Sequence, residues 1–132
     1  MLAIIGGSGL ARLAGLTNTR REVVRTPYGD PSCALTFGEL DNSPIVFLAR
    51  HGYGHTLAPH EINYRANLWA LRQVGVSAVL AVASVGGIRA DCGPGTLVVP
   101  DQIVDYTWGR NHSYFEGTDQ PVIHIDFTHP YD

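Results

Sequence analysis

Three short apolar runs, each followed at once by a glycine-containing loop, constrain the fold of this 132-residue chain more than any other feature. The runs cover residues 2–5 before GGSG, 44–49 before RHGYG, and 77–84 before VGG. Runs of this length are typical of β-strands. Residues 77–84 show no apolar–polar alternation, which is typical of a strand buried on both faces at the centre of a sheet. The pattern predicts a layered α/β domain.

Further strands are predicted on both sides of the central runs. Residues 33–39 and 44–49 should form a hairpin, because the LDNSP between them contains the residues of a tight turn. Two more strand pieces are expected at 96–100 and 102–106, and 122–127 is a last short apolar run. These elements favour a mixed β-sheet flanked by helices.

One long helix is predicted over residues 62–74. Tyr64, Leu68 and Leu71 recur at helical spacing and should form part of its apolar face. Gly75 follows where a helix commonly ends. No helix after 122–127 is available to cover the second face of the sheet, so the domain is expected to be incomplete.

Composition excludes several classes of protein. Apolar residues make up 45% of the chain and charged residues 16%, which argues against disorder. The net charge of −3 argues against a nucleic-acid groove, although one or two cations would suffice for a small anion. Cys33 and Cys92 lack CxxC spacing and are expected to be reduced thiols in the cytoplasm. The N-terminal apolar run lacks a basic leader, and no run approaches about 18 apolar residues, so we expect neither a secretory leader nor a membrane span.

The loop after the first run offers backbone N–H groups and the hydroxyl of Ser8, which together can hold a phosphate oxygen. A dinucleotide-binding fingerprint would need glycine where Arg12 stands, and a nucleophile elbow would need glycine where Leu10 stands. A plain strand-to-loop turn is the alternative interpretation.

Arg50 and His51 follow the run at 44–49, where open α/β sheets bind ligands. The guanidinium fork suits phosphate oxygens, and the imidazole adds a donor whose charge depends on pH. A metal site made of His51, His55 and His60 is an alternative, although the intervening glycines and Pro59 disfavour a helix that would align them. Ordinary surface or core histidines are a third interpretation.

The third run ends in Ser84, Gly86 and Gly87, which again place a hydroxyl and free N–H groups at a strand end. A surface loop is the alternative for this stretch alone. Three strand ends that each combine glycine with a phosphate-suited side chain predict one anion site, built from Ser8, Arg50 with His51, and Ser84.

Four stretches together resemble the N-terminal half of the trimeric purine nucleoside phosphorylases, the branch that includes the methylthioadenosine phosphorylases. They are IIGGSGL, LARHGYGHTLAPHEINYRANLWAL, SVGGIR and GTLVVPDQIVDYTWGR, in that order. Within the branch the chain is most similar to the bacterial S-methyl-5'-thioinosine phosphorylases. The resemblance implies a phosphorylase-like mixed sheet, with residues 1–132 forming about the N-terminal half of a single nucleoside phosphorylase domain.

The resemblance also implies a pentosyltransferase of purine salvage. It would convert S-methyl-5'-thioinosine and phosphate to hypoxanthine and 5-methylthioribose-1-phosphate, with methylthioadenosine or inosine and guanosine as alternative substrates. A cytoplasmic homotrimer of the full-length chain is implied, without a metal or organic cofactor. A non-catalytic nucleotide- or phosphate-binding domain and a metal-dependent hydrolase are rival interpretations from other classes.

Site residues carry over by position. Ser8, Arg50, His51, Ala83 and Ser84 would bind phosphate, Val85 and Gly86 would lie against the base, and His124 would reach the 5' substituent bound by a neighbouring subunit. Relatives often have threonine at positions 8 and 83. Ser8 keeps a hydroxyl group at the first position, whereas Ala83 has none at the second. The acidic or amide group that meets the purine is expected outside this chain, so residues 1–132 alone are predicted not to catalyse the reaction.

Overall fold

The structure is a computed structural model that describes residues 1–118 and 121–132. The chain divides into two compact units, Met1–Ser84 and Val85–Asp132. The assignment of residues 1–132 to part of a single domain stays a prediction. No helix among the described residues has the length and apolar character that a membrane crossing requires.

The first unit contains a five-stranded mixed sheet and one α-helix. Its elements are β1 (Leu2–Gly6), β2 (Thr17–Glu22), β3 (Leu35–Leu40), β4 (Ser43–Ala49), α1 (Tyr64–Gln73) and β5 (Ala78–Ala81). The strand order is β2-β3-β4-β1-β5. Strand β1 is parallel to β4 and β5, whereas β3 is antiparallel to β2 and β4. The predicted mixed α/β sheet is therefore confirmed.

The hairpin between β3 and β4 is also confirmed, and its turn chemistry explains it. Leu40 pairs with Ser43, so Asp41 and Asn42 are the two turn residues. Their φ angles of 49° and 61° lie in the left-handed region, as a type I′ turn requires. Asp and Asn tolerate this conformation better than most residues, so the local sequence specifies the turn.

The centre of the sheet is covered on both faces, because alternate residues of β1 and β4 point to opposite sides. On one face Ala3, Ile5, Val46 and Leu48 are in one cluster with the helix residue Leu71. On the other face the buried residues Ile4, Ile45, Phe47 and Ala49 pack against the partly buried Leu10, Leu13 and Leu16. A helix thus covers one face, and the loop after β1 covers the other.

Helix α1 was predicted over 62–74 and spans Tyr64–Gln73. Asn63 caps it by accepting a hydrogen bond from the Ala66 backbone N–H, and Gly75, with a φ of 83°, follows its end. The predicted apolar face is only partly right, because Leu71 is buried while Leu68 is 45% exposed. The residues of α1 that are buried are Ala66, Asn67, Ala70 and Leu71.

The strand predicted over 77–84 is shorter, and its predicted environment is wrong. Strand β5 covers Ala78–Ala81, lies at one end of the strand order, and is exposed along its length. Val79 and Leu80 are 44% and 53% exposed. Apolar composition favours pairing with β1, but burial on both faces also requires covering layers, which the described residues do not supply at β5.

Strand β2 has no counterpart among the predicted elements. Its sequence, TNTRRE, is polar and every residue is exposed, so it carries no apolar alternation. It forms because its backbone pairs with β3 at the sheet edge. Arg20 lies over the Phe37 ring at 3.9 Å from its centroid, which shields an aromatic face that the edge would otherwise expose.

The second unit, Val85–Asp132, contains turns and bends but no strand or helix in its described part. The predicted strand pieces at 96–100 and 102–106 are therefore wrong for this structure. Leu97 and Val104 are 92% and 75% exposed. A strand needs a hydrogen-bonded neighbour, and these segments have no ladder partner in the described residues, so their apolar composition does not produce a strand.

Candidate functional site

Three parallel strands end side by side at one edge of the sheet. Gly6 at the end of β1 is opposite Ala49 of β4, and Ile5 is opposite Ala81 of β5. Hydrogen bonds continue past the strand ends, from the Arg50 N–H to the Gly6 carbonyl oxygen and from the Val82 N–H to that of Ile5, both at 2.9 Å. The loops that carry the predicted anion-binding residues therefore start from adjacent positions.

The loop after β1 contacts the residues after β5. The Ser84 hydroxyl donates a hydrogen bond to the Ser8 carbonyl oxygen at 2.9 Å, which brings two predicted site residues together. Gly9 has a φ of 83°, and the Leu10 N–H donates to the Gly7 carbonyl oxygen at 3.0 Å, which closes a tight turn. The structure thus contains the tight turn and brings Ser8 and Ser84 together, and their role in binding an anion stays a prediction.

The Arg50 guanidinium packs against the backbone of Gly7. A Cβ atom built on Gly7 would clash with an Arg50 guanidinium nitrogen and would lie 2.9 Å from the Val82 carbonyl oxygen. The glycine therefore allows the arginine of one strand end to approach the backbone of the next. Within residues 1–118 and 121–132, no Asp or Glu forms an ion pair with Arg50, so its charge is available to an anion.

The structure fixes the protonation of one nitrogen of the buried His51 imidazole. Its Nδ1 atom lies 2.8 Å from the Leu57 carbonyl oxygen, and His51 is 7% exposed. Because a carbonyl oxygen can only accept, Nδ1 carries a proton and donates it. Nε2 is then an acceptor in the neutral ring and a donor in the imidazolium.

Within the 50–57 loop, residues 51–57 fold into a compact turn that orients the side chain of His51. The N–H groups of Thr56 and Leu57 both donate to the His51 carbonyl oxygen, at 3.0 and 3.1 Å. The His51 and His55 rings are tilted by 42°, with their centroids 4.6 Å apart. In the part of the chain that the structure describes, no group of three or more His, Cys, Asp or Glu side chains could hold a metal ion.

The other predicted site residues are less well connected. Ala83 lies between Val82 and Ser84 in the chain and is exposed. Val85, Gly86 and His124 belong to the second unit, in which Val85 is 83% exposed and His124 is also exposed. Their assignment to the nucleoside stays a prediction.

Two contacts of the site are not evident from sequence patterns. Gly7 appears in the sequence only as part of a glycine-rich turn, whereas the structure makes it the surface on which Arg50 lies. The carbonyl group of Leu57 orients His51 through the backbone, so the identity of that residue gives no signal. In contrast, the placement of Ser8, Arg50 and Ser84 at one edge of the sheet follows from their positions after parallel strands.

Comparison with known proteins identifies the group to which this arrangement belongs. The profile of the phosphorylase superfamily matches residues 1–132. The chain belongs to the phosphorylase superfamily. It aligns over 98% of its length with a methylthioadenosine phosphorylase from Schistosoma mansoni solved with adenine, at a TM-score of 0.92 and 37% identity, and covers 48% of that chain.

Two curated phosphorylases show the same relation in sequence. A probable S-methyl-5'-thioinosine phosphorylase from Pseudomonas syringae pv. tomato is 50% identical over 98% of this chain, which covers 52% of that relative. A probable 6-oxopurine nucleoside phosphorylase from Thermococcus kodakarensis is 47% identical, again over 98% of this chain and 50% of the relative. The chain therefore spans about half the length of the curated phosphorylases it matches.

Proposed function

We propose that the protein containing this chain catalyses phosphate-dependent cleavage of a purine nucleoside, and that residues 1–132 supply its phosphate site. One observation carries this proposal: Arg50, which has no carboxylate partner in the described residues, lies where three parallel strands end beside Ser8 and Ser84. Such a cation suits an anionic substrate, and membership of the phosphorylase superfamily supports phosphate as that anion.

The proposed reaction is a displacement at the anomeric carbon of the nucleoside. A phosphate oxygen forms a bond to that carbon while the bond to the purine nitrogen breaks. The purine leaves with the electron pair of the broken bond and takes up a proton, and a sugar-1-phosphate forms. The sugar develops oxocarbenium-ion character, as in glycoside cleavage. Arg50 and His51 would hold phosphate in line with the breaking bond, so their contribution is positioning and electrostatic complementarity.

The nucleoside we propose is S-methyl-5'-thioinosine, which would yield hypoxanthine and 5-methylthioribose-1-phosphate. The support is sequence similarity, because the Pseudomonas syringae relative at 50% identity carries that name. Methylthioadenosine is the first alternative, since a protein of Mycolicibacterium smegmatis named S-methyl-5'-thioadenosine phosphorylase is 48% identical. Inosine and guanosine are the next alternatives.

The remaining residue roles belong to the same proposal. Ala83 would border the phosphate through its backbone, Val85 and Gly86 would lie against the purine, and His124 would reach the 5' substituent bound by a neighbouring subunit of a homotrimer. No metal or organic cofactor takes part in the proposed chemistry. The free thiols of Cys33 and Cys92 suit a protein that acts in the cytoplasm.

Base release by the intact protein tests the proposed function. Methylthioinosine, methylthioadenosine and inosine should each be incubated with and without phosphate, and the free base measured. We expect release only with phosphate, and fastest from methylthioinosine. Faster release from methylthioadenosine would overturn the substrate but keep the reaction. Base release at the same rate with and without phosphate would contradict phosphorolysis. The absence of base release from all three nucleosides would also contradict it.

Gly7→Ala should weaken phosphate binding more than nucleoside binding. The added Cβ would displace the Arg50 guanidinium from its place on the loop and would also lie too close to the Val82 carbonyl oxygen, at 2.9 Å. We expect KM for phosphate to rise about tenfold, the factor expected when a charge-assisted contact is weakened by roughly 1.4 kcal/mol. Gly93→Ala is the matched control, because a Cβ there meets nothing within 4 Å. Equal phosphate KM values for the two variants would contradict the role of Gly7.

A further inference from the structure

Tyr53 connects the loop of the proposed phosphate site to strand β3. Its hydroxyl donates a hydrogen bond to the Ala34 carbonyl oxygen at 2.5 Å and lies 2.7 Å from the Thr36 hydroxyl oxygen. A tyrosine hydroxyl has one proton, so the Thr36 hydroxyl must donate to Tyr53. Tyr53 follows His51 by two residues, and both hydrogen bonds reach about 17–19 residues back along the chain. They fix the loop to the sheet rather than to itself.

Segment 32–36 supports this loop at further points. The Cys33 thiol lies 3.5 Å from the Ala49 carbonyl oxygen, immediately before Arg50. A Cβ built on Gly52 would lie 3.4 Å from the Ser32 carbonyl oxygen, so the two backbones are in close contact. The segment therefore lies along the loop from Ala49 to Tyr53, and Tyr53 is its main polar connection.

Helix α1 holds segment 32–36 in turn. The buried Asn67 side chain accepts a hydrogen bond from the Ser32 N–H at 2.8 Å and donates one to the Ser32 hydroxyl at 2.9 Å. The carbonyl oxygen and the NH2 group of the Asn67 side chain thus both bond to Ser32. Because α1 packs on the sheet core through Leu71, the segment is anchored to that core through Ser32.

The surroundings of Tyr53 keep its hydroxyl protonated. Burial raises the pKa of Tyr53 above its ordinary value, although the hydrogen bond from Thr36 opposes that effect. The Arg21 guanidinium lies over the ring, 4.2 Å from its centroid, and fixes the ring face. A neutral hydroxyl can donate to Ala34 throughout the neutral pH range.

We propose that Tyr53 is a positioning residue for phosphate, which holds the 50–57 loop so that Arg50 and His51 keep their binding geometry. The loop needs such support because Gly52, with a φ of 76°, and Gly54 give its backbone unusual freedom. A site performs well only when the residues that bind the ligand are held by their neighbours. This inference rests on the proposed function, and it extends that function to a side chain that does not touch the ligand.

Tyr53→Phe in the intact protein tests the inference. The substitution keeps the ring beneath Arg21 and removes the contacts of the hydroxyl with Ala34, Thr36 and Cys33. We expect KM for phosphate to rise about three- to tenfold, the factor that corresponds to one net hydrogen bond, while KM for the nucleoside stays unchanged. Thr36→Val, which leaves the bond from Tyr53 to Ala34 in place, should give a smaller rise.

Tyr64→Phe is the matched control, because its hydroxyl also donates to a backbone carbonyl, that of Pro59, at 3.1 Å. It should leave the phosphate KM unchanged. An unchanged phosphate KM in Tyr53→Phe, or equal rises in both KM values, would overturn the positioning role while phosphate-dependent turnover still supports the proposed function. Base release by the unmodified protein that does not depend on phosphate would overturn both.

Discussion

Replacing Arg50 with alanine is expected to lower kcat/KM for phosphate by roughly 30- to 1,000-fold, which corresponds to about 2–4 kcal/mol of transition-state stabilisation. Arg50 has no carboxylate partner in residues 1–118 and 121–132, so its removal leaves no buried acid unpaired. The substitution should therefore weaken the interaction with phosphate and leave the stability of the fold unchanged. Initial rates at varied phosphate and fixed nucleoside concentration measure the dependence on phosphate. Initial rates at varied nucleoside and fixed phosphate concentration measure the dependence on nucleoside.

Two further variants make this result specific. Arg50→Lys keeps the charge but loses the planar fork, so it should recover only part of the phosphate dependence. Arg72→Ala removes an exposed arginine from the last turn of α1 and should leave both dependences unchanged. If Arg50→Ala retained the phosphate dependence of the unmodified protein, Arg50 would be structural and the anion site would lie elsewhere.

The second large effect concerns stability. Leu48→Ala should reduce the free energy of unfolding by about 2–5 kcal/mol, the range for truncating a fully buried leucine that leaves a cavity. Leu48 is 0% exposed near the C-terminal end of β4, where it belongs to the cluster that also contains Leu71. Urea denaturation of the intact protein measures the change, provided that the dependence on urea is the same for both proteins.

Leu68→Ala is the matched control for the stability measurement. Leu68 lies on α1 and is 45% exposed, so the same truncation should cost about 1 kcal/mol or less. Similar losses from the two leucines would show that the core is not centred between β4 and α1. The pair also tests the orientation of the helix, because the sequence pattern alone assigned Leu68 to the apolar face.

Elements with strong local chemistry were predictable from the sequence. The β3–β4 turn depends on Asp41 and Asn42, whose side chains suit left-handed backbone, and α1 was predictable from the helical spacing of its apolar residues and from Gly75 at its end. Elements that depend on neighbours were not. Strand β2 is polar throughout and forms only because β3 is beside it. Strand β5 was predicted as a strand, but its exposure was not, because it lacks the covering layers that its apolar sequence suggested.

In the candidate site too, some features were predictable from the sequence and others depend on tertiary structure. Parallel strands that end together bring Ser8, Arg50 and Ser84 to one edge, and that placement follows from the order of apolar runs and loops. The contact of Arg50 with Gly7 and the hydrogen bonds of Tyr53 depend on tertiary structure. No spacing rule encodes them, because the partners are distant in sequence and one of them has no side chain.

Identification of the sugar product tests the central claim most directly. The intact protein should be incubated with methylthioinosine and phosphate, and the phosphorus species followed by ³¹P NMR while hypoxanthine is measured in parallel. We predict one equivalent of sugar-1-phosphate for each equivalent of base released, with an equal loss of inorganic phosphate. Base released together with free sugar, while inorganic phosphate stays constant, would identify a hydrolase and contradict phosphate as the attacking group.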